Sequence, residues 1–227
     1  MMMKFWYMVI TLKPDTFFIF DLDDTLFQEI DFLHSAYRHI AGRLSPDDAE
    51  NLYAQMWAKY QAGENVFTWL LSQFGNIIPK LELATLLQWY REHIPEIRLS
   101  HEAEDFLNQL YARDVPLGLI TDGRSITQRN KLKALGIADK FECIIISEEF
   151  GTEKPHPDNY RVFIERFGHR DFYFVGDNTR KDFIIPESLG WNIICIKDSG
   201  KNIHPQQMDK FPASGYIVSS FKDIQLQ

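Results

Sequence analysis

Four apolar residues in a row, Phe17 through Phe20, run straight into Asp21-Leu22-Asp23-Asp24-Thr25-Leu26. An unbroken apolar run of this length predicts a strand buried on both faces, and the acidic cluster predicts where that strand stops. Beyond Leu26 the spacing turns helical: Leu33, Ala36, Tyr37, Ile40 and Leu44 recur at i, i+3, i+4, i+7 and i+11. Ser45-Pro46-Asp47-Asp48 predicts an N-cap, a proline at the first helical position and acids in the first turn of a second helix. That helix carries Leu52, Tyr53, Met56, Trp57 and Tyr60 and ends at Gly63. A third bears Val66, Trp69, Leu70 and Phe74 before Gly75, and a fourth covers about residues 81–90. No strand pattern occurs between Asp31 and Pro95.

Past Pro95 the rhythm alternates. Ser100 caps a helix with Ala103, Phe106, Leu107 and Leu110 on one face, and apolar strands follow at 115–121, 141–147, 172–176 and 192–197. Helices at 125–135, 157–167 and 181–189 separate them, ending at Gly136, Gly168 and Gly190. Strands alternating with helices imply an α/β fold with a parallel sheet covered on both faces. The first strand belongs to that sheet, so the helical stretch is an insertion after it. The expected division is an α/β core at 17–29 and 97–227, an all-helical unit at 30–96 and an unassigned extension at 1–16. Tyr216-Ile217-Val218 in the tail predicts an added edge strand.

Composition narrows the class. An apolar content of 45% in 227 residues supports a substantial core. A net charge of -8, without a local Lys/Arg cluster, argues against nucleic acid as a partner. The two cysteines sit in apolar strand-like runs and read as buried thiols, with no CxxC for zinc or a disulfide scaffold. The apolar stretch from Phe5 to Ile10 is too short for a membrane span and lacks a cleavage pattern; an extra edge strand or an upstream start fits better, and the chain reads as cytoplasmic. Oligomeric state is not legible.

Candidate chemistry gathers at the predicted strand ends, where open α/β sheets bind ligands. Asp21 and Asp23 follow the first strand; one carboxylate can attack while the other moves a proton, and a divalent cation would balance so much negative charge beside an anionic substrate. Thr121, followed by Asp122-Gly123, ends the second strand. Lys154 lies in the loop after the third, and Asp177 ends the fourth with Asp182 five residues on. Taken singly, each has an ordinary explanation as a turn acid, a strand threonine, a surface lysine or a helix-start acid.

Together, in this order, they resemble the haloacid dehalogenase superfamily. Asp21-Leu22-Asp23-Asp24-Thr25 is similar to its DxDxT motif, Thr121 to the second-motif Ser/Thr, Lys154 to the third-motif lysine, and Gly176 through Asp182 to GDxxxxD. The resemblance covers 17–26 and about 97–197, and the helical insert matches a C1-type cap in placement. It implies a Rossmann-like core and a phosphatase in which Asp21 is the nucleophile and Asp23 the general acid and base. Thr121, the Asp122 backbone N–H and Lys154 would bind phosphate. Mg2+ would sit on Asp21, the Asp23 carbonyl and Asp177, and Asp182 would orient Lys154 or a metal-bound water. The implied partner is a small phosphorylated metabolite.

Within the superfamily, Asp23 favours phosphoryl transfer over dehalogenation. A phosphonatase would need a cap amine, for which Lys59 and Lys80 have no distinguishing feature. A phosphomutase keeps every motif, and a domain that only binds phospholigand or protein would be expected to have lost the nucleophile or acid. Trp57, Trp69 and Trp89 read as cap core rather than stacking platforms, and the seven histidines show no metal-ligand spacing. His156 and Arg124 lie near motif residues in sequence, and residues 28–34 enter the cap where substrate contact is expected.

Overall fold

The computed structural model describes residues 8–227. The chain runs β1 (Met8–Ile10), β2 (Thr16–Phe20), α1 (Glu29–Leu44), α2 (Ala49–Gln61), α3 (Val66–Phe74), α4 (Leu83–Glu92) and α5 (His101–Tyr111). It continues through β3 (Leu117–Thr121), α6 (Ser125–Leu135), β4 (Cys143–Ile146), α7 (Ser147–Phe150), α8 (Asp158–Phe167) and β5 (Asp171–Gly176). The last elements are α9 (Ile184–Ser188), β6 (Asn192–Ile196), β7 (Tyr216–Val218) and β8 (Ile224–Leu226).

Six strands form one parallel sheet in the order β4-β3-β2-β5-β6-β7. Side chains alternate between faces, so a central strand must be apolar at every position. β2 meets that demand: Phe18 and Phe20 join one buried cluster, Phe17 and Ile19 the other. Its neighbour β5 follows suit, with Tyr173 and Val175 in the first cluster and Phe172 and Phe174 in the second. Phe18 stacks on Tyr173 with centroids 4.8 Å apart, while Phe17 packs against Phe163 and Phe167 of α8.

Helices α1–α4 surround a separate apolar cluster that includes Tyr37, Ile40, Met56, Leu70 and Leu86. Trp57, Trp69 and Trp89 pack against it, as core residues do, and Trp89 also lies under Arg43 at 4.5 Å. The returning chain is tied to the end of the first motif, where Ser100 N–H donates to the Leu26 carbonyl at 3.2 Å. The Ser100 side chain also caps α5, accepting from Ala103 N–H.

Several expectations shift by local chemistry. Ser45 does not cap a helix: Pro46–Asp48 forms a short 3-10 turn, and α2 starts only at Ala49. Val115 and Pro116 belong to the turn before β3, with Val115 N–H bonded to the Leu110 carbonyl. Ser147 leaves the strand and opens the short α7, which Gly151 closes at φ +92°. The expected helix at 181–189 shrinks to α9 because residues 178–182 curl into a turn, with Lys181 and Asp182 N–H both donating to the Asn178 carbonyl. The tail does add an edge strand: β7 pairs with β6, Ile194 opposite Tyr216. Of the N-terminal apolar stretch, β1 pairs with β8 in a separate two-stranded sheet, and residues 1–7 lie outside the described residues. Both cysteines are buried and free. Among the described residues no helix is long and apolar enough to cross a membrane.

Candidate active site

Strand register sets the site. Phe20 pairs with Leu119 on one side and Val175 on the other, so β2, β3 and β5 end almost level. The ladder extends one step further through Asp21 N–H to the Val175 carbonyl at 2.9 Å. Asp21, Thr121 and Asp177 therefore emerge side by side, and a cavity of about 330 Å3 opens over them.

Lys154 reaches into this group from the loop after α7. Its Nζ lies 2.5 Å from Asp21 Oδ1 and 2.7 Å from Asp182 Oδ1, and all three residues are buried. Asp182 is fixed in turn: its Oδ2 accepts from the N–H groups of Asp177 at 3.2 Å and Asn178 at 2.8 Å. The 178–182 turn is what brings that carboxylate back beneath the tip of β5. It also explains Gly176, where a Cβ would meet Asp182 Oδ2 at 2.4 Å. Asp122 braces the other side, accepting from Lys154 N–H at 2.9 Å and pairing with Lys181 at 2.9 Å. Its side chain thus anchors the lysine loop, a job the sequence does not announce.

Asp23 lines the same cavity but is held from α6 rather than by Lys154. Its Oδ1 is 2.6 Å from Lys131 Nζ and its Oδ2 accepts from Gln128 Nε2 at 2.8 Å, both on α6. The same Gln128 donates to Thr121 Oγ1 at 2.5 Å. Thr25 lies between two acids, its hydroxyl 3.4 Å from Asp21 Oδ2 and 3.4 Å from Asp177 Oδ1. Asp24 holds the turn at φ +56°, a conformation Asp tolerates, by accepting from the N–H groups of Glu29 and Ile203.

A segment after β6, free of any helical or strand periodicity, supplies further contacts. Asn202 Nδ2 donates to Asp177 Oδ2 at 2.7 Å, Gln206 Nε2 donates to the Asp177 carbonyl at 2.9 Å, and His204 lines the cavity. From α1, Glu29 lines it too, in the segment where the sequence predicts substrate contact. Arg124 and His156, suggested by their proximity to motif residues, are not among the cavity-lining residues: Arg124 pairs with Glu148 and His156 with Asp158 at the surface.

The electrostatics follow from crowding. Burial, with the Asp182 carboxylate adding, pushes Asp177 from 3.8 up to about 9. Burial also lifts Asp21 from 3.8 to about 7, although Lys154 opposes it. Glu29 rises from 4.5 to about 8, through burial and then the Asp23 charge. Burial works against the Lys154 ammonium as well, but Asp182 and Asp21 outweigh it and hold Lys154 well above its ordinary range. Carboxylate oxygens of Asp21, Asp177 and Asp182 lie within 4.8 Å of one another. Hard oxygen donors in excess of positive charge suit a small divalent cation. Asp182 spends its oxygens on Lys154 and two backbone N–H groups and does not line the cavity, whereas Asp21 and Asp177 do, which makes these two the candidate ligands.

Fold and site together define an α/β enzyme core with its chemistry at the carboxyl ends of parallel strands. The chain belongs to the haloacid dehalogenase-like hydrolases, whose family model matches residues 18–196. It is 28% identical over 217 residues to a glyceraldehyde 3-phosphate phosphatase of Methanocaldococcus jannaschii, covering 91% of this chain and 93% of the relative. A phosphoserine phosphatase of Thermus thermophilus is 34% identical over 169 residues, 70% of this chain and 66% of the relative. Among solved structures, the magnesium-bound hydrolase YfnB of Bacillus subtilis shares the fold, with a TM-score of 0.64, 21% identity, and coverage of 93% of this chain and 97% of that one.

These shifts have a sign. Asp21, Glu29 and Asp177 bind protons more tightly in the folded chain than when unfolded, so stability falls as pH rises through their folded values. Lys154 keeps its proton throughout that range and contributes a constant amount. Buried His93, lowered from 6.5 to about 4, acts oppositely but only below its ordinary value. In metal-free buffer the Tm measured by calorimetry should therefore drop between about pH 7 and about pH 9, and Asp177→Asn should flatten the drop. A Tm that climbs across this interval would contradict the charge balance described.

Proposed function

We propose that the protein is a magnesium-dependent phosphatase that hydrolyses a small phosphomonoester through a phosphoryl group carried on Asp21. The observation that carries this reading is the buried Lys154 held between Asp21 and Asp182, with Asp177 alongside and an open cavity above. A lone carboxylate at a strand tip would have a structural explanation. A carboxylate that shares one ammonium with another acid, at the floor of a cavity, is arranged for an anionic reactant.

Asp21 and Asp177, with the Asp23 carbonyl, are the residues that would hold the cation. When bound, magnesium would neutralise these carboxylates and polarise a phosphate oxygen. Asp21 attacks phosphorus, and the electron pair of the breaking P–O bond passes to the leaving oxygen. Asp23 gives that oxygen a proton, then takes one from the water that hydrolyses the aspartyl-phosphate. Thr121 donates to a phosphate oxygen; its lone pair is occupied by Gln128, which leaves the hydroxyl proton free to turn toward the cavity. The Asp122 N–H adds a second donor. Lys154 meets the charge on the transferring group, and Asp182 keeps Lys154 aimed.

The helices at 30–96 act as a cap over the core at 17–29 and 97–227, keeping bulk water out while the phosphoryl group passes to Asp21. Glu29, where the chain passes from the core into α1, lines the cavity wall. Relatives named as phosphatases of small phosphorylated metabolites support this choice of chemistry.

Asp21→Asn should lower kcat/KM by at least ~10³-fold while leaving circular dichroism unchanged, because nucleophile and metal ligand vanish together. Phosphate release that survives this substitution would remove the assignment. Magnesium should raise the Tm of the wild type, most at alkaline pH, and restore turnover after EDTA treatment. Turnover indifferent to both would exclude the cofactor. Phosphate release over a panel of sugar phosphates, nucleotides and phosphorylated acids would identify the substrate.

A further inference from the structure

Lys131 has no part in the motifs, yet it is one of the most deeply placed cations in the chain. It sits on α6 at 3% exposure, with Nζ 2.6 Å from Asp23 Oδ1 and 4.4 Å from the ring centre of Phe32. Phe27 lies at 5.8 Å on the same Nζ. Gln128, three residues earlier and therefore on the same helix face, is 2% exposed. Its amide has two protons, and both are used: one on Asp23 Oδ2 at 2.8 Å, the other on Thr121 Oγ1 at 2.5 Å. The glycine at 123 accommodates this amide, since a Cβ there would press on the Gln128 side chain at 3.1 Å.

Burying an ammonium among aromatic rings is unfavourable unless a partner offsets it, and a methionine would fill the same slot without that cost. The contact has a use if the Asp23 carboxyl must be held at one place over the reacting phosphate. In the first half-reaction Asp23 passes its proton to the leaving oxygen as the P–O bond breaks, a transfer that is lost when the carboxyl swings away from that oxygen. Donors already in place on α6 fix the carboxyl without reorganisation. In the second half-reaction the carboxylate takes a proton from water, and Gln128 keeps it in register with the phosphate-binding Thr121.

We propose that Lys131 and Gln128 are positioning residues that clamp the Asp23 carboxyl from α6 and align it with Thr121. This rests on the reading of Asp23 as the general acid.

The test is leaving-group dependence. General acid catalysis matters most for basic alkoxides and least for p-nitrophenolate. Values of kcat/KM would be measured for p-nitrophenyl phosphate, phenyl phosphate and an alkyl phosphate with wild type, Asp23→Asn, Lys131→Met, Lys131→Arg and Gln128→Leu, with circular dichroism as the check on folding. Lys131→Met is expected to lose ~10–100-fold on the alkyl ester and less than ~3-fold on p-nitrophenyl phosphate, with Lys131→Arg recovering most of the loss. Gln128→Leu should tilt the series in the same direction. If Lys131→Met fails to fold, Lys131→Gln makes the same comparison. Equal losses on all three esters would mark Lys131 as purely structural and overturn the proposal, as would no loss at all. Asp23→Asn separates the two levels: if it steepens the series and Lys131→Met does not, only the clamp fails, whereas a flat response to Asp23→Asn removes the acid assignment and the clamp with it.

Discussion

The Lys154 ammonium, shared by Asp21 and Asp182, is the contact on which the rest of the site depends. Three level strand ends bring carboxylates closer than water would let them rest. One buried cation makes that tolerable, and Asp182 also ties it to the turn after β5 through the N–H groups of Asp177 and Asn178. The glycine before Asp177 is required for the same reason, because any side chain there would displace Asp182. Stability and reactivity therefore oppose each other here: the site is held together by one positive charge and left short of a second.

Much of this was legible in the sequence. The apolar runs before Asp21, Thr121 and Asp177 marked strands buried on both faces, and register then placed those residues side by side. Lys154 was a different matter. It stands in a loop, and no spacing shows where a loop folds back; the resemblance to a known family pointed to it. The helical unit was equally clear, because its periodicity runs on without a strand. Where the reading slipped, at Ser45 and at residues 181–183, a proline-led turn or the tight curl after β5 overrode helical preference.

What the sequence concealed were residues whose role comes from tertiary placement. Lys131 and Gln128 look like ordinary polar positions on a helix, and only packing against Phe32 and Asp23 reveals that this face points inward. Asn202 and Gln206 lie where no pattern exists at all, yet one meets the Asp177 side chain and the other its carbonyl. A helix read by charge alone is assigned to solvent, and a coil read by composition is assigned no contacts. Both inferences fail when a buried carboxylate nearby needs donors.

The helix α6 has a second set of attachments. Thr127 donates its hydroxyl to the Arg91 carbonyl, and the Asn130 amide donates to the carbonyls of Glu92 and His93, which closes the open end of α4. The element that grips Asp23 thus also terminates the last helix of the insert. Modularity is limited accordingly. A chimera that exchanges only the inserted helices for those of a relative would graft foreign carbonyls onto Thr127 and Asn130, and the mismatch would reach Asp23 through the backbone they share with Gln128 and Lys131. The insert and α6 would have to move together, as one transplantable piece.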